Sequence, residues 1–355
     1  MNPTLIYTIA DQTHTTEVFV GSALLSHLPE LLKEKVPAYR YALITDSTVE
    51  KLYGEKLVQD LNSAGLPTEL ISFPAGEHSK NEATKQKVDH ALLERNFGRD
   101  TVILALGGGV VGDLAGFVSA TYMRGIPYVQ IPTTVLSMVD SSIGGKVGID
   151  TPFGKNLLGA FWHPRLIIAD TNTLTTLTGK ERTNGWFEAL KMFITMDANS
   201  YEKAKHGFDP SLLERAMHLK MEVVEKDERE TGLRAVLNFG HSIGHALEKL
   251  SDYSIPHGYA VALGMLVEAR ASVELGLLDA KVWKDLSETL QKLGVEANAL
   301  QRFTFDPIWS ALQNDKKNRE GEVRWVQLKK IGETTLESIT KEVAEKAWHT
   351  VLSLH

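Results

Sequence analysis

Residues 101–116 read TVILALGGGVVGDLAG, and the order of their residue types decides the fold class. The apolar, β-branched run Thr101–Leu106 suits a buried strand, the glycines that follow suit a tight turn, and the apolar residues beyond them return at helical spacing. Gly107, Gly109 and Gly112 fit the G-x-G-x-x-G pattern. In such a turn the absence of side chains lets backbone approach a pyrophosphate while the N–H groups of the helix start point at it. The same glycines also suit a turn where a helix simply packs close against a sheet. Two features argue against an ordinary nucleotide-binding dehydrogenase: the turn follows the fourth of the strands read below rather than the first, and no acidic residue stands about twenty positions later to hold a ribose.

Working outward, TLIYTIA, YALITD and PTELISFPA before the turn, and YVQIPTT and RLIIAD after it, read as further strands alternating with helical patterns. That alternation implies a mainly parallel sheet covered on both faces, which binds ligands at the carboxyl ends of its strands. From about Gly179 the pattern changes. LLERAMHLKMEVVEKDERE, HSIGHALEKL, YAVALGMLVEARASVELGL and KVWKDLSETLQKL carry apolar residues at helical spacing, and VRWVQLKKIGETTLESI alternates like a short hairpin. The predicted architecture is an α/β, Rossmann-like parallel-sheet domain over 1–178 and a mainly α-helical domain over 179–355. The boundary is set near Leu177 and the active site is expected in the cleft between the domains. No fixed-period repeat or low-complexity linker interrupts the chain.

Composition narrows the function. The formal charge of -7 is mild for 355 residues and the 38 Lys and Arg are scattered, so neither nucleic acid nor an acidic membrane is an expected partner. With no cysteine, thiolate catalysis and thiolate metal sites are excluded, and His, Asp and Glu remain as strong metal ligands. The start, MNPTLIYTIADQ, lacks the basic and apolar regions of a secretory signal, and Asp113 with several glycines interrupts the most apolar stretch. A cytoplasmic protein is expected.

His241 and His245 in GHSIGH stand four apart, on one face of a helix. His257 follows in IPHGYAV, and an acidic residue from another segment would complete a metal site. Gly240 and Gly258 adjoin His241 and His257 at the starts of two apolar helical segments, as would suit two helix N-termini converging on one site.

PAGEHSK (74–80), GGGVVGDLAGFVSATYMRGI (107–126), IPTTVLSMVDSSIGGKVGID (131–150), GKNLLGAF (154–161), RAVLNFGHSIGHALE (234–248) and NDKK (314–317) together resemble the sugar phosphate cyclases, most closely the 3-dehydroquinate synthase family, in order and spacing across nearly the whole chain. The resemblance implies a one-carboxylate, two-histidine metal set of Glu188 in GWFEALK, His241 and His257, binding zinc, with cobalt also possible; His245 then falls beside the substrate. For NAD it implies Asp46 at the adenosine ribose, Glu77 and Lys80 beside it, Gly108, Gly109, Val110, Val111, Gly112 and Asp113 at the pyrophosphate, and Thr133, Thr134, Lys146, Lys155 and Thr176 nearby. Catalytic positions transfer as Asp140, Lys146, Lys191, Asn238 and His245. Arg124, Asn156, Lys220, Arg234, Lys316 and Lys317 transfer as substrate-binding. An arginine matching Arg124 reaches the neighbouring subunit's site in the family, which implies a homodimer.

The reaction implied is that of the shikimate pathway, in aromatic amino acid biosynthesis. A phosphorylated seven-carbon sugar acid, 3-deoxy-D-arabino-heptulosonate 7-phosphate, becomes 3-dehydroquinate and phosphate through transient oxidation by NAD, phosphate elimination, re-reduction and an intramolecular aldol closure. Two departures from the family pattern fall near the metal set: GWFEALK replaces smaller residues around Glu188, and Tyr259 stands where a Glu is usual. Tyr259 puts the outer support of His257 in question. The alternatives are another sugar phosphate cyclase, a metal-dependent alcohol or glycerol dehydrogenase on the same scaffold, and a nucleotide-binding module without turnover.

Overall fold

The computed structural model describes residues 5–10, 15–228, 233–313 and 323–354. The chain divides into two compact units, Met1–Thr178 and Gly179–His355. Among the described residues, the first unit contains the strands β1 (Leu5–Ala10), β2 (Thr15–Gly21), β3 (Arg40–Asp46), β4 (Thr68–Phe73), β5 (Thr101–Gly107), β6 (Tyr128–Pro132), β7 (Lys146–Thr151), β8 (Gly154–Phe161) and β9 (Leu166–Asp170). Seven of them form one sheet in the order β1-β2-β9-β6-β5-β3-β4. Every pairing in it is parallel except that of β1 with β2 at the edge. Parallel neighbours need long crossovers, and the helical patterns between the strand segments supply them.

β5 lies between β3 and β6 and is buried along its whole length. Its side chains alternate between two cores. Leu104 and Leu106 join Leu43, Val129 and Ile168 on one face, while Ile103 and Ala105 join Ala42, Ile44 and the helix residues Leu114, Ala115 and Val118 on the other. A strand apolar on both faces has no polar side to give water, which is why TVILAL shows no alternation. At roughly 1.5–3 kcal/mol for each fully buried large apolar side chain, these two layers anchor the turn that follows.

Three strands were not legible in the sequence. β2 adds a parallel strand beside β9, so the glycine turn follows the fifth strand rather than the fourth. β7 and β8 form a separate antiparallel hairpin. β8, GKNLLGAF, is largely exposed and carries two glycines, so neither burial nor propensity marked it as a strand.

The second unit is mainly helical. Helix His257–Glu274 is apolar around most of its circumference and packs against helices Gly179–Met196, His241–Leu250, Ala280–Lys292 and Lys341–Leu352, and against strand Arg324–Lys330. A helix apolar all round belongs at the centre of its neighbours. Arg324–Lys330 pairs antiparallel with Glu333–Ser338, the hairpin expected from the alternation there. Among the described residues no helix is long and apolar enough to cross a membrane.

Candidate functional site

Of the residues expected to hold NAD in the first unit, Asp46, residues 108–113, and Thr133 with Thr134 lie at or just beyond the carboxyl ends of the adjacent strands β3, β5 and β6. Gly108 caps the helix Gly109–Thr121. The first backbone bond of this helix runs from the Gly112 N–H to the Gly108 carbonyl at 3.0 Å. The amides of Gly109, Val110 and Val111 therefore precede any intrahelical acceptor and suit an anion. The glycines divide by role. A Cβ on Gly107 would stand 2.5 Å from Val111 Cγ2, and one on Gly112 2.7 Å from Gln130 Oε1, so packing demands both. Gly108 and Gly109 are half-buried; a Cβ on either would stand 3.2 Å from Thr134 Cγ2 or Ser141 Oγ, a tight fit that the neighbour would have to yield to, so as glycines they leave a bare surface of backbone. Thr133 donates its N–H to the Gly107 carbonyl at 2.9 Å, tying the start of the next loop to the turn. Asp46 ends β3 and accepts from the N–H groups of Thr48 and Val49 at 2.8 and 3.0 Å, so its place is fixed by capping.

Beside the turn, Lys80 is buried and donates to Asp113 Oδ2 at 2.6 Å and to Asn156 Oδ1 at 2.5 Å. Asn156 donates its N–H to Asp150 Oδ1 at 2.9 Å, and Lys155 pairs with Glu77 at 3.3 Å. Residues from three distant stretches thus form one network. Burial disfavours charge on Lys80, but Asp113 and Glu77 outweigh it and raise its pKa; burial also raises that of Asp113, with Lys80 pulling it back. Thr176 stands apart, its hydroxyl 2.7 Å from that of Tyr53. Lys146, the first residue of β7, is exposed, and Asp140 is half-buried in the turn after β6. Arg124 is exposed on a turn where Met123 and Arg124 both take positive φ, 50° and 68°. Two successive non-glycine residues in that region are strained, so the turn holds Arg124 outward at a cost.

In the second unit a donor set assembles around Glu188. Trp186 and Phe187 are fully buried in the helix Gly179–Met196, with the Trp186 indole donating to the Ala204 carbonyl, and they carry Glu188 into the interior at 0% exposure. Lys191, one turn on, donates to Glu188 Oε2 at 2.5 Å. Glu188 Oε1 faces His241 Nε2 at 3.5 Å and His257 Nε2 at 3.4 Å, longer than well-formed hydrogen bonds, and this buried oxygen has no hydrogen-bond partner among the described residues. Donor atoms of Glu188, His241 and His257 all lie within 4.8 Å of one another. An orphaned carboxylate oxygen between two imidazole nitrogens fits a divalent cation, and one carboxylate with two imidazoles leaves coordination positions for substrate oxygens.

Each histidine begins a helix, His241 in His241–Leu250 and His257 in His257–Glu274. The helices meet at glycines. Gly240 has φ 78°, and a Cβ on Gly264 would stand 1.9 Å from the Gly240 carbonyl oxygen. Gly258 donates its N–H to Asn184 Oδ1 at 2.9 Å, joining the His257 helix to the Glu188 helix. Burial opposes ionisation of Glu188, but Lys191 and His257 outweigh it and hold its carboxyl below the usual range. His257 is likewise buried against charge, yet Glu188 and Glu248 push its pKa up to about 10.

His245 is exposed, with its ring centroid 5.2 Å from that of His241, beside the donor set rather than in it. Lys220 is buried on helix Leu213–Lys226, and Asn238 lies two residues before Gly240. Arg234 is buried, with its Nη1 donating to the Glu228 carbonyl at 2.5 Å. Lys316 and Lys317 lie outside the described residues.

Two residues of the site went unread in the sequence. Glu248 accepts from His257 Nδ1 at 3.0 Å, and Glu268 accepts from the Gly240 N–H at 2.7 Å. The outer support of His257 thus comes from Glu248, not from position 259. Tyr259 instead packs edge-to-face on Phe187, centroids 5.0 Å apart, so the two departures from the family pattern touch each other. A lone carboxylate inside the apolar run YAVALGMLVEARA was the available signal for Glu268, since an unpartnered charge there would be costly.

Residues 70–184 match the family model of the 3-dehydroquinate synthase N-terminal region, and residues 184–318 that of the C-terminal region. The curated 3-dehydroquinate synthase of Symbiobacterium thermophilum is 40% identical over 342 residues, 93% of this chain and 95% of its own. Among solved structures, 2-epi-5-epi-valiolone synthase from Streptomyces hygroscopicus, with NAD+ and Zn2+ bound, superposes with a TM-score of 0.85 at 28% identity, covering 96% of this chain and 98% of that one. A 2-deoxy-scyllo-inosose synthase complexed with carbaglucose-6-phosphate, NAD+ and Co2+ shares the fold, with a TM-score of 0.86 at 24% identity over 97% of this chain and 99% of its own.

Proposed function

The chain belongs to the 3-dehydroquinate synthase family, and on that premise we propose that it converts 3-deoxy-D-arabino-heptulosonate 7-phosphate into 3-dehydroquinate and phosphate, with NAD used but not consumed and a divalent ion, zinc or cobalt, held by Glu188, His241 and His257. The observation that carries the reading to the site is the Glu188 Oε1 atom, buried without a hydrogen bond among the described residues and flanked by two imidazole nitrogens at 3.4 and 3.5 Å. When bound, the ion would acidify neighbouring substrate hydroxyls and NAD would take hydride from the adjacent carbon and later return it.

The rest falls to side chains. The spare amides of Gly109, Val110 and Val111 would receive the NAD pyrophosphate over the bare surface of Gly108 and Gly109, beside Asp113 and Lys80, with Asp46, Glu77, Thr133, Thr134, Lys155 and Thr176 completing its surroundings. Lys146, Asn156 and Arg124 would hold the substrate phosphate, and Arg234 and Lys220 its carboxylate. Lys191 Nζ, fixed on Glu188 Oε2 at 2.5 Å, keeps positive charge at the centre, while Asn238 and His245 stabilise charge and relay protons, with Asp140 nearby. The departing phosphate would act as base, so no dedicated basic side chain is assigned. Holding both ends of the opened substrate then makes ring closure intramolecular.

The proposal extends to a cytoplasmic homodimer in which Arg124, displayed on its strained turn, reaches the neighbouring subunit's site. The assay that tests the reaction incubates full-length protein with NAD, zinc and the heptulosonate phosphate. Release of phosphate without net NADH is expected. No phosphate release would reject the reading, and stoichiometric NADH would select a dehydrogenase on the same scaffold.

A further inference from the structure

We infer that the two histidine-bearing helices hold each other's ligand through buried carboxylates: Glu248, on the His241 helix, positions His257, and Glu268, on the His257 helix, positions His241. The inference rests on the reading of Glu188, His241 and His257 as a metal set and concerns the residues that aim that set.

Glu248 is buried, and its Oε2 accepts from His257 Nδ1 at 3.0 Å. With Nδ1 engaged by Glu248, Nε2 is the nitrogen left to a cation, and it is the one that faces the orphaned Glu188 oxygen. His245, Glu248 and His257 also bring three donor atoms within 4.8 Å. In that second group the Glu248 oxygen and His257 Nδ1 already satisfy each other, so among the described residues it is the Glu188 group that keeps an unmet oxygen.

Glu268 acts on backbone. His241 begins a helix whose N-cap is Gly240, and a glycine has no side chain with which to accept from the first-turn N–H groups. No larger residue fits there, because a Cβ on Gly240 would stand 2.5 Å from the Val261 carbonyl oxygen. Glu268, at 0% exposure, supplies the missing acceptor from across the helix pair: its Oε2 takes the Gly240 N–H at 2.7 Å and its Oε1 the Ile243 N–H at 3.4 Å. These bonds bracket His241 and set the direction in which its ring leaves the helix. Each helix thus lends the other a carboxylate, and the spacing of the two imidazoles is fixed twice.

Zinc affinity by competition with a chromophoric chelator, and the visible absorption of the cobalt-loaded protein, test this in the full-length chain. Glu248→Ala is expected to weaken zinc binding about ten- to a hundredfold and to shift the cobalt bands, with Glu248→Gln, which can still accept from Nδ1–H, recovering most of the loss. In a His257→Ala background Glu248→Ala should cost nothing further, whereas Glu268→Gln should still weaken binding; in a His241→Ala background the pattern should reverse. If Glu248→Ala does not fold, Glu248→Met, which fills much of the same space but cannot accept from Nδ1–H, is read through the same cycles and decides. Zinc held equally well by the wild type, Glu248→Ala and Glu268→Gln, or a loss from either glutamate variant that adds fully to that of the histidine it is assigned to position, would overturn the reciprocal arrangement alone. A wild-type chain that binds neither ion would overturn the metal reading and this inference together.

Discussion

Lys80 in the first unit and Lys191 in the second are both buried, and each holds a carboxylate, Asp113 at 2.6 Å and Glu188 at 2.5 Å. Taken alone the two pairs look alike, and either could be a structural ion pair. They differ in what remains once the pair is made. Lys80 also binds Asn156, and Asp113 keeps some contact with solvent, so the first network closes on itself and locks three stretches of chain together. Glu188 has no solvent contact and one oxygen left over, facing two imidazoles. A closed network fixes geometry; an open one specifies a missing cation. The distinction lies in single atoms, which is why a buried lysine–carboxylate pair alone does not identify a site.

The largest expected effect comes from removing the open pair's carboxylate. Glu188→Ala should lose bound zinc and lower turnover roughly a hundredfold or more, beyond the range typical of outer-shell changes. Metal content by atomic emission and phosphate release check it together, and retention of both would erase the contrast between the two pairs. Next, Lys191→Met leaves a fully buried carboxylate without its cation, at a cost of about 3 kcal/mol of stability in metal-free protein. Because a ligand stabilises the state it binds, excess zinc should restore much of this in urea unfolding. A variant as stable as wild type without metal would show that Lys191 does not hold Glu188. Smallest, Lys80→Met should weaken NAD about tenfold by releasing Asp113 and Asn156, a loss of about 1.4 kcal/mol, and leave zinc content unchanged. Calorimetry with NAD measures the first, and loss of zinc in this variant would merge two networks that are distinct here.

The same contrast explains what the sequence disclosed. Backbone features are written locally: the run TVILAL, the glycines and the apolar spacing of HSIGHALEKL each led to an element of the expected kind. β2 and the β7–β8 hairpin escaped because Glu17 interrupts one and exposure with glycine flattens the pattern of the other. Side-chain convergence is not local. Glu188, His241 and His257 were grouped through the family resemblance, since nothing in their spacing joins a glutamate on one helix to histidines on two others. Glu248 looked like any polar residue of an amphipathic helix, although it lies two turns from His241 on the same face. Phe187 and Tyr259 could be read as separate departures, but only the fold shows them as one edge-to-face contact.

Where Gly264 meets the carbonyl of Gly240, there is less room than a methyl group requires. Two rods touching backbone to backbone have no compressible layer of side chains between them, so they can neither be pressed closer nor spread without opening a void beside the central helix. Any retuning of this centre toward an ion of different radius would therefore have to come from rotating or exchanging side chains on a rigid frame. For a protein engineer, those glycines belong on the list of positions to leave alone.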